Sequence, residues 1–494
     1  MKKLLLLILA FVLVFAMAAC SSGPAPANNT NTDNSSNTIR PEDVSAMSYA
    51  EYIAAGEGAN VVIEGYVQKY ALNRDFHNVS MFIQDENGGS YYAYRAVCSD
   101  EQAAKLVEGT HVKVSGKKAS WSGEIEIGEG CIFYILEGNK VFVAVDISGK
   151  LADLQALEKM MNQKISAKEL LVEYSTSSEG KVSAFLYNWD GSGAAGSNND
   201  LYFNISHGGA GFTFCVESDE DPEGTGTYDA VTGLHFGDII DLEGMLYWYN
   251  GPNVHVNRIN VVKASKADAL KSEGVLTYTQ YTECADEAEV TVEGYVQGRT
   301  VYDEEQHSFS MFLADADGAY YAYGVNASKE DYDKLTYGTK VKLSGIKIFG
   351  NGLPLISKVE TMEILEGYYI AMPENITDKI GDNDALYKMT AGKVLLRDLK
   401  VAASKAPDSD TEYAFLYNWD GSGKAGENCD VYFTVETAGG KSCTVYVDTD
   451  EFPEGSDLYK AVTQLSIGDE INLESFVFWN EDPEFHVQKL SVKK

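Results

Sequence analysis

Residues Asn60–Tyr70 read NVVIEGYVQKY, a β-branched run interrupted once, by Gly65. A glycine inside a strand pattern marks a bulge, a sharp bend or a close backbone approach. The string returns at Val292–Gln297, where VEGYVQ answers IEGYVQ at Ile63–Gln68 and Gly294 takes the place of Gly65. The copies stay in step: the offset is 229 residues at Tyr66/Tyr295 and still 229 at Ile135/Ile364. SMF at Ser80 and Ser310 and YYAY at Tyr91 and Tyr320 fill the interval. A second kind of segment repeats between these copies, with ALEKM at Ala156 against ALYKM at Ala385 and FLYNWDGSG at Phe185–Gly193 against Phe415–Gly423. The organisation is therefore X-Y-X-Y.

Within the first copy the order of patterns is three strands, a helix and two strands. NVVIEGYVQKY, VSMFIQDENGG and SYYAYRAV read as strands, and SDEQAAKLVEG as a short helix opened by Ser99 or Asp100 and closed by Gly109. HVKVSGKKA and GEIEI then form a hairpin about Trp121, Ser122 and Gly123. This order, with glycine in the first strand, resembles the OB-fold, a small Greek-key barrel of five strands whose first strand must serve both sheets. The resemblance implies a mainly β chain of four tandem five-stranded OB-like barrels, each with a short helix. The expected modules are 45–140, 141–263, 264–370 and 371–494. The second and fourth have the same pattern with longer early strands, LYFNIS and GFTFCVES in the second.

The N-terminus, MKKLLLLILAFVLVFAMAAC, has two lysines ahead of an apolar run and small residues at its end, the order of a secretory signal over 1–19. Ala18, Ala19 and Cys20 resemble the lipobox of bacterial lipoproteins, which implies a lipid on Cys20, with Met17 where the family usually has Leu. Residues 20–44 are rich in Ser, Asn, Thr and Pro and read as a disordered tether. These ends imply an extracytoplasmic protein anchored in the cell envelope. Six further cysteines have no metal-ligand spacing. They do not read as a disulfide framework: Cys98 with Cys131 and Cys429 with Cys443 are the pairs open to bridging in an exported chain, and buried thiols are the leading reading.

OB-folds take ligands between the loop joining strands one and two and the loop joining strands four and five. Trp189 and Trp419 fall in the repeated YNWDGSG, and Trp121, Trp248 with Tyr249, and Trp479 in or beside the last hairpins. Aromatic rings there suit stacking on sugars or bases, and they equally suit plugging a barrel end. ESDEDPEG and DTDEFPEG add recurring carboxylates at Asp219/Asp450 and Glu220/Glu451, and the turns add Asp190/Asp420, oxygen ligands of the kind calcium takes. No calcium-loop spacing accompanies them, so no cofactor is required.

The net charge of −35 disfavours polyanions, and the 76 residues between Lys181 and Arg258 hold no Lys or Arg and 11 Asp or Glu. Lys69, Arg74, Lys117, Lys118 and Arg299 leave single-strand binding open for modules one and three. His77/His307 and His255/His486 recur on strands without a nucleophile, metalloprotease or phosphate-loop pattern, so an enzyme is not expected. The sequence thus points to a non-catalytic binding protein for a glycan or another neutral or cationic ligand. A structural role on a protein partner is the alternative.

Overall fold

The computed structural model describes residues 44–269, 271–350, 352–407 and 409–493. The expected signal, Cys20 and nearly all of the tether lie outside them. No helix among the described residues is long and apolar enough to cross a membrane. Apart from Gly180–Val182, the chain divides after Val262 into two compact units, each of which carries two barrels.

Barrel I opens with a short helix, α1 (Tyr49–Ala54), whose N-terminus is held by a Ser48/Glu51 capping box. It continues with β1 (Asn60–Asn73), β2 (Asn78–Gln84), β3 (Ser90–Val97), α2 (Asp100–Lys105) and β4 (Thr110–Trp121). The fifth strand is split into β5 (Glu124–Ile127) and β6 (Ile132–Asn139), both parallel to β3 and antiparallel to β4. The ring closes because β1 pairs with β4 through Asn60–Tyr66 and with β2 through Tyr66–Asn73. Gly65 sits at this changeover: a Cβ there would lie 2.7 Å from the Gln84 carbonyl oxygen and 2.8 Å from the Ile83 side chain. The expected hairpin turn is present, with Ser122 and Gly123 both at positive φ.

Barrel II is β7 (Lys164–Glu173), β8 (Leu201–His207), β9 (Ala210–Val216), α3 (Gly226–Thr232), β10 (Ile239–Trp248) and β11 (Pro252–Lys263). Its ring is closed by the pairing of β7 with both β8 and β10. The early strands are not longer than those of barrel I. The extra length is the connection over 174–200, and the bend of β7 is made by a bulge, with Glu169 at φ 54°, instead of a glycine.

Barrel III has α4 (Tyr278–Glu283), β12 (Glu289–Arg299), β13 (Ser308–Ala314), β14 (Ala319–Asn326), α5 (Lys329–Lys334), β15 (Thr339–Gly350) and an unbroken β16 (Leu353–Tyr368). Barrel IV has β17 (Lys393–Val401), β18 (Val431–Glu436), β19 (Ser442–Val447), α6 (Asp457–Val462), β20 (Glu470–Asn480) and β21 (Asp482–Val492). All four rings follow the strand order 1-2-3-5-4 with the helix between strands three and four, so the OB-type X-Y-X-Y architecture is present.

Each barrel buries its own core, filled by alternate residues such as Val79, Met81 and Ile83 of β2. The outward side of β2 and β3 is buried too. Phe82 and Tyr92 are 1% and 7% exposed because Met245 and Tyr247 of barrel II cover them. In the second unit the Phe312 ring stacks on Phe476 of barrel IV, with centroids 3.9 Å apart and planes within 7°. Each unit is therefore a pair of barrels joined face to rim.

Candidate functional site

The connection between strands one and two of barrels II and IV carries the repeated YNWDGSG. Leu186–Tyr187 and Leu416–Tyr417 add a short strand to β8 and β18. The chain then turns through Asn188 and Asn418, both in the left-handed region. Asp190 and Asp420 each accept the backbone N–H of the serine two residues on, 3.0 Å away in both copies. Glu223 closes the rest of the loop by accepting the N–H groups of Gly196 and Asn198 at 2.7 and 3.1 Å. Glu454 does the same for Gly426 and Asn428 at 2.7 and 3.0 Å. The motif therefore builds a pinned loop, which explains why its residue types recur together. Trp419 stands on it 68% exposed, and Trp189 is half-buried at the matching place.

The hairpin aromatics divide. Trp121 is 56% exposed. Trp248 packs against the barrel II core, and its indole lies 2.8 Å from where a Cβ on Gly123 of barrel I would be. Tyr249 forms a β-bridge with that same Gly123. Trp479 likewise packs on Gly352 of barrel III and meets Tyr387 edge-on at 5.1 Å. Trp248, Tyr249 and Trp479 thus join barrels within their units.

The acidic stretches separate into two roles. Asp190 and Asp420 serve their own turns, and Asp219 and Asp450 sit exposed. Glu220 and Glu451 turn inward to the recurring histidines: Glu220 Oε1 is 3.0 Å from His255 Nδ1, and Glu451 Oε1 is 3.4 Å from His486 Nδ1. Cys215 lies beside His255 across the parallel β9–β11 pairing, with its Sγ 3.5 Å from Glu217 Oε1. The other face of His255 meets Glu217 Oε1 through Nε2 at 3.8 Å. In barrel IV the corresponding set is Asp448, Glu451 and His486, with Tyr446 where barrel II has Cys215. The sequence shows the histidines recurring and the carboxylates recurring. It does not connect them, because β9–β11 pairing brings together residues some forty positions apart.

The two histidines carry opposite charge tendencies. Burial disfavours imidazolium at His255, but Glu220, Glu217 and Glu124 together outweigh it and hold the ring up at about 9. Burial alone pushes His486 down to about 3, and burial lifts its partner Glu451 to about 8. The two rings are thus pushed in opposite directions. The His486 Nε2 atom is left buried with no hydrogen-bond partner.

The basic residues that left nucleic acid open are largely engaged within their units. Lys69 pairs with Asp221 at 2.6 Å. The Lys118 ammonium donates to the carbonyls of Tyr52, Ile53 and Ala55 at the end of α1, and Lys347 repeats this on α4. Arg299 donates to the Tyr332 carbonyl and lies over its ring. All six cysteines among the described residues are free thiols, so neither Cys98 with Cys131 nor Cys429 with Cys443 is bridged. A shallow depression of about 370 Å³ surrounds the Glu169 bulge, and none of the expected site residues lines it.

No family model and no curated protein matches the chain. Among solved structures, the hypothetical protein ygiW from E. coli is similar at 17% identity over 18% of this chain and 89% of its own, with a TM-score of 0.15. The tetrameric p202 HIN2 structure is similar at 12% identity over 42% and 96%, with a TM-score of 0.20. A replication protein A heterotrimer bound to ssDNA is similar at 9% identity over 67% and 93%, with a TM-score of 0.16. Likenesses this distant say nothing about function.

Proposed function

We propose that this is an envelope lipoprotein, anchored through Cys20, whose barrels form a non-catalytic binding scaffold for a neutral or cationic ligand, a glycan first. The observation that carries the reading is Trp419, an indole 68% exposed on a loop whose backbone is pinned by Glu454. A large apolar ring held out rigidly loses little entropy on stacking against a sugar face. Trp189 repeats the loop in barrel II, and two such sites on one chain would add avidity for a ligand that spans them. The acidic balance of −35 favours neutral and cationic partners over polyanions.

Tryptophan fluorescence titration against a glycan panel tests this. Some glycan should shift emission in the native chain, and Trp419→Ala with Trp189→Ala should abolish the shift while Trp121→Ala leaves it. No response from any glycan would remove the reading.

One observation favours the alternative, a spacer that contacts protein. The face of strands two and three, which OB-folds use for oligomers, is buried in barrels I and III by the neighbouring barrel of the same unit. Crosslinking from the envelope would then recover one abundant partner, with tryptophan emission unmoved by any glycan. Single-strand binding by barrels I and III would require Lys69, Lys118 and Arg299 to leave their present partners, and an absence of gel retardation at low salt would exclude it.

A further inference from the structure

Barrel II brings a thiol, a carboxylate and an imidazole into one small space. Cys215 Sγ, the Glu217 carboxylate and a ring nitrogen of His255 all lie within 4.8 Å of one another. Two edges of that triangle are known: Sγ to Oε1 is 3.5 Å and Oε1 to Nε2 is 3.8 Å. Ligands placed about 2.0–2.3 Å from a tetrahedral ion stand roughly 3.3–3.8 Å from each other, so these edges already have the right length. Cys215 is fully buried and His255 is 6% exposed, while the Glu217 side chain keeps 28% of its surface and leaves an approach from solvent.

The second ring nitrogen is also provided for. Glu220 Oε1 takes His255 Nδ1 at 3.0 Å, which orients the ring and leaves Nε2 to face Glu217 and the thiol. A carboxylate behind a histidine is the usual support of a metal-bound imidazole. An independent observation comes from barrel IV. There Asp448 and Glu451, the counterparts of Glu217 and Glu220, gather with His486, and His486 Nε2 is buried without a partner although the residue is only 3% exposed. A buried imidazole nitrogen left without a partner is costly unless something accepts its lone pair or its proton.

We infer that Cys215, Glu217 and His255 form a site for a borderline divalent cation of the zinc class, with Glu220 as a positioning residue. The donor set decides the class. Calcium and magnesium require oxygen ligands in number, whereas one sulfur, one nitrogen and one oxygen suit zinc or cobalt with a fourth position left to water or an outside ligand. Barrel IV, with tyrosine in place of the thiol, keeps only oxygen and nitrogen donors and binds such an ion more weakly. A bound ion would tie the turn after β9 to β11.

The test uses the full chain, stripped with chelator, held reduced and titrated with Co²⁺ and then Zn²⁺. Tetrahedral cobalt with one thiolate gives a near-ultraviolet charge-transfer band and intense visible bands, both bleached by one equivalent of zinc. Cys215→Ser should erase the charge-transfer band, His255→Gln should lower zinc affinity at least about 100-fold, and Glu220→Gln about 10- to 100-fold. Absence of the thiolate band in the native chain overturns the proposal without any variant. So does zinc affinity that Cys215→Ser and His255→Gln, folded by circular dichroism, leave unchanged.

Discussion

At the scale of single residues, the fold depends on polar groups placed where water cannot reach. Glu124 is fully buried, and its carboxylate accepts from the Asn162 side-chain amide at 2.6 Å and the Trp248 backbone N–H at 2.9 Å. Burial nevertheless pushes it from 4.5 up to about 8; Glu126 adds to the rise, while those two bonds and the charge on His255 oppose it. A raised carboxyl in the folded state has a definite sign. Below about pH 4.5 the group is protonated in both states, and between about 4.5 and 8 the unfolded chain releases a proton that the folded chain keeps. Stability therefore falls as pH rises through that window and levels above it. Glu124→Gln should flatten the fall and leave the first unit more stable than the native chain at pH 8, by about 1–3 kcal/mol. Denaturant unfolding at pH 5 and pH 8 measures this, and equal slopes for both proteins would show that Glu124 is not the group responsible. Glu126 and Glu217, each raised by burial to about 7, should keep a smaller slope in the variant.

At the scale of elements, the strands were legible and the long loops were not. Gly65 announced the bend of β1 because nothing larger fits against the Gln84 carbonyl. The same bend in β7 left no such mark, since a bulge at Glu169 makes it with an ordinary side chain. FLYNWDGSG read correctly as a strand running into a turn. That Glu223 and Glu454, some thirty residues on, hold these loops was hidden, because the bonds go to backbone groups whose position no side-chain pattern records. Glu454→Ala should cost about 0.5–1.5 kcal/mol in barrel IV. It should also speed the anisotropy decay of Trp419, measured in a chain whose other tryptophans are phenylalanine. An unchanged decay would mean the loop is held by something else.

At the scale of the whole molecule, pairing of barrels within a unit is the feature with the largest energetic consequence. Phe82 and Phe312 point away from their own barrel cores and yet are 1% exposed. A phenylalanine so buried and stacked behaves as a core residue, and Phe312→Ala should destabilise the second unit by about 3–5 kcal/mol. Calorimetry or denaturant unfolding reads the loss, and a change below about 1 kcal/mol would show that the junction is not maintained in solution.

The amino-acid sequence by itself determined the number of barrels, their X-Y-X-Y order, the strand order within the first kind and the acidic character of the surface. It could do so because side-chain alternation, glycine placement and internal repetition are local properties of the chain. Only the tertiary structure decided which aromatic rings reach solvent and which close a junction, so that Trp419 stands free while Trp248 and Trp479 do not. Only it placed His255 against Glu217, Glu220 and Cys215. The reason is the same in both cases: burial between barrels, and contact across a parallel pair of strands, depend on neighbours distant in the chain, and no local pattern carries their identity.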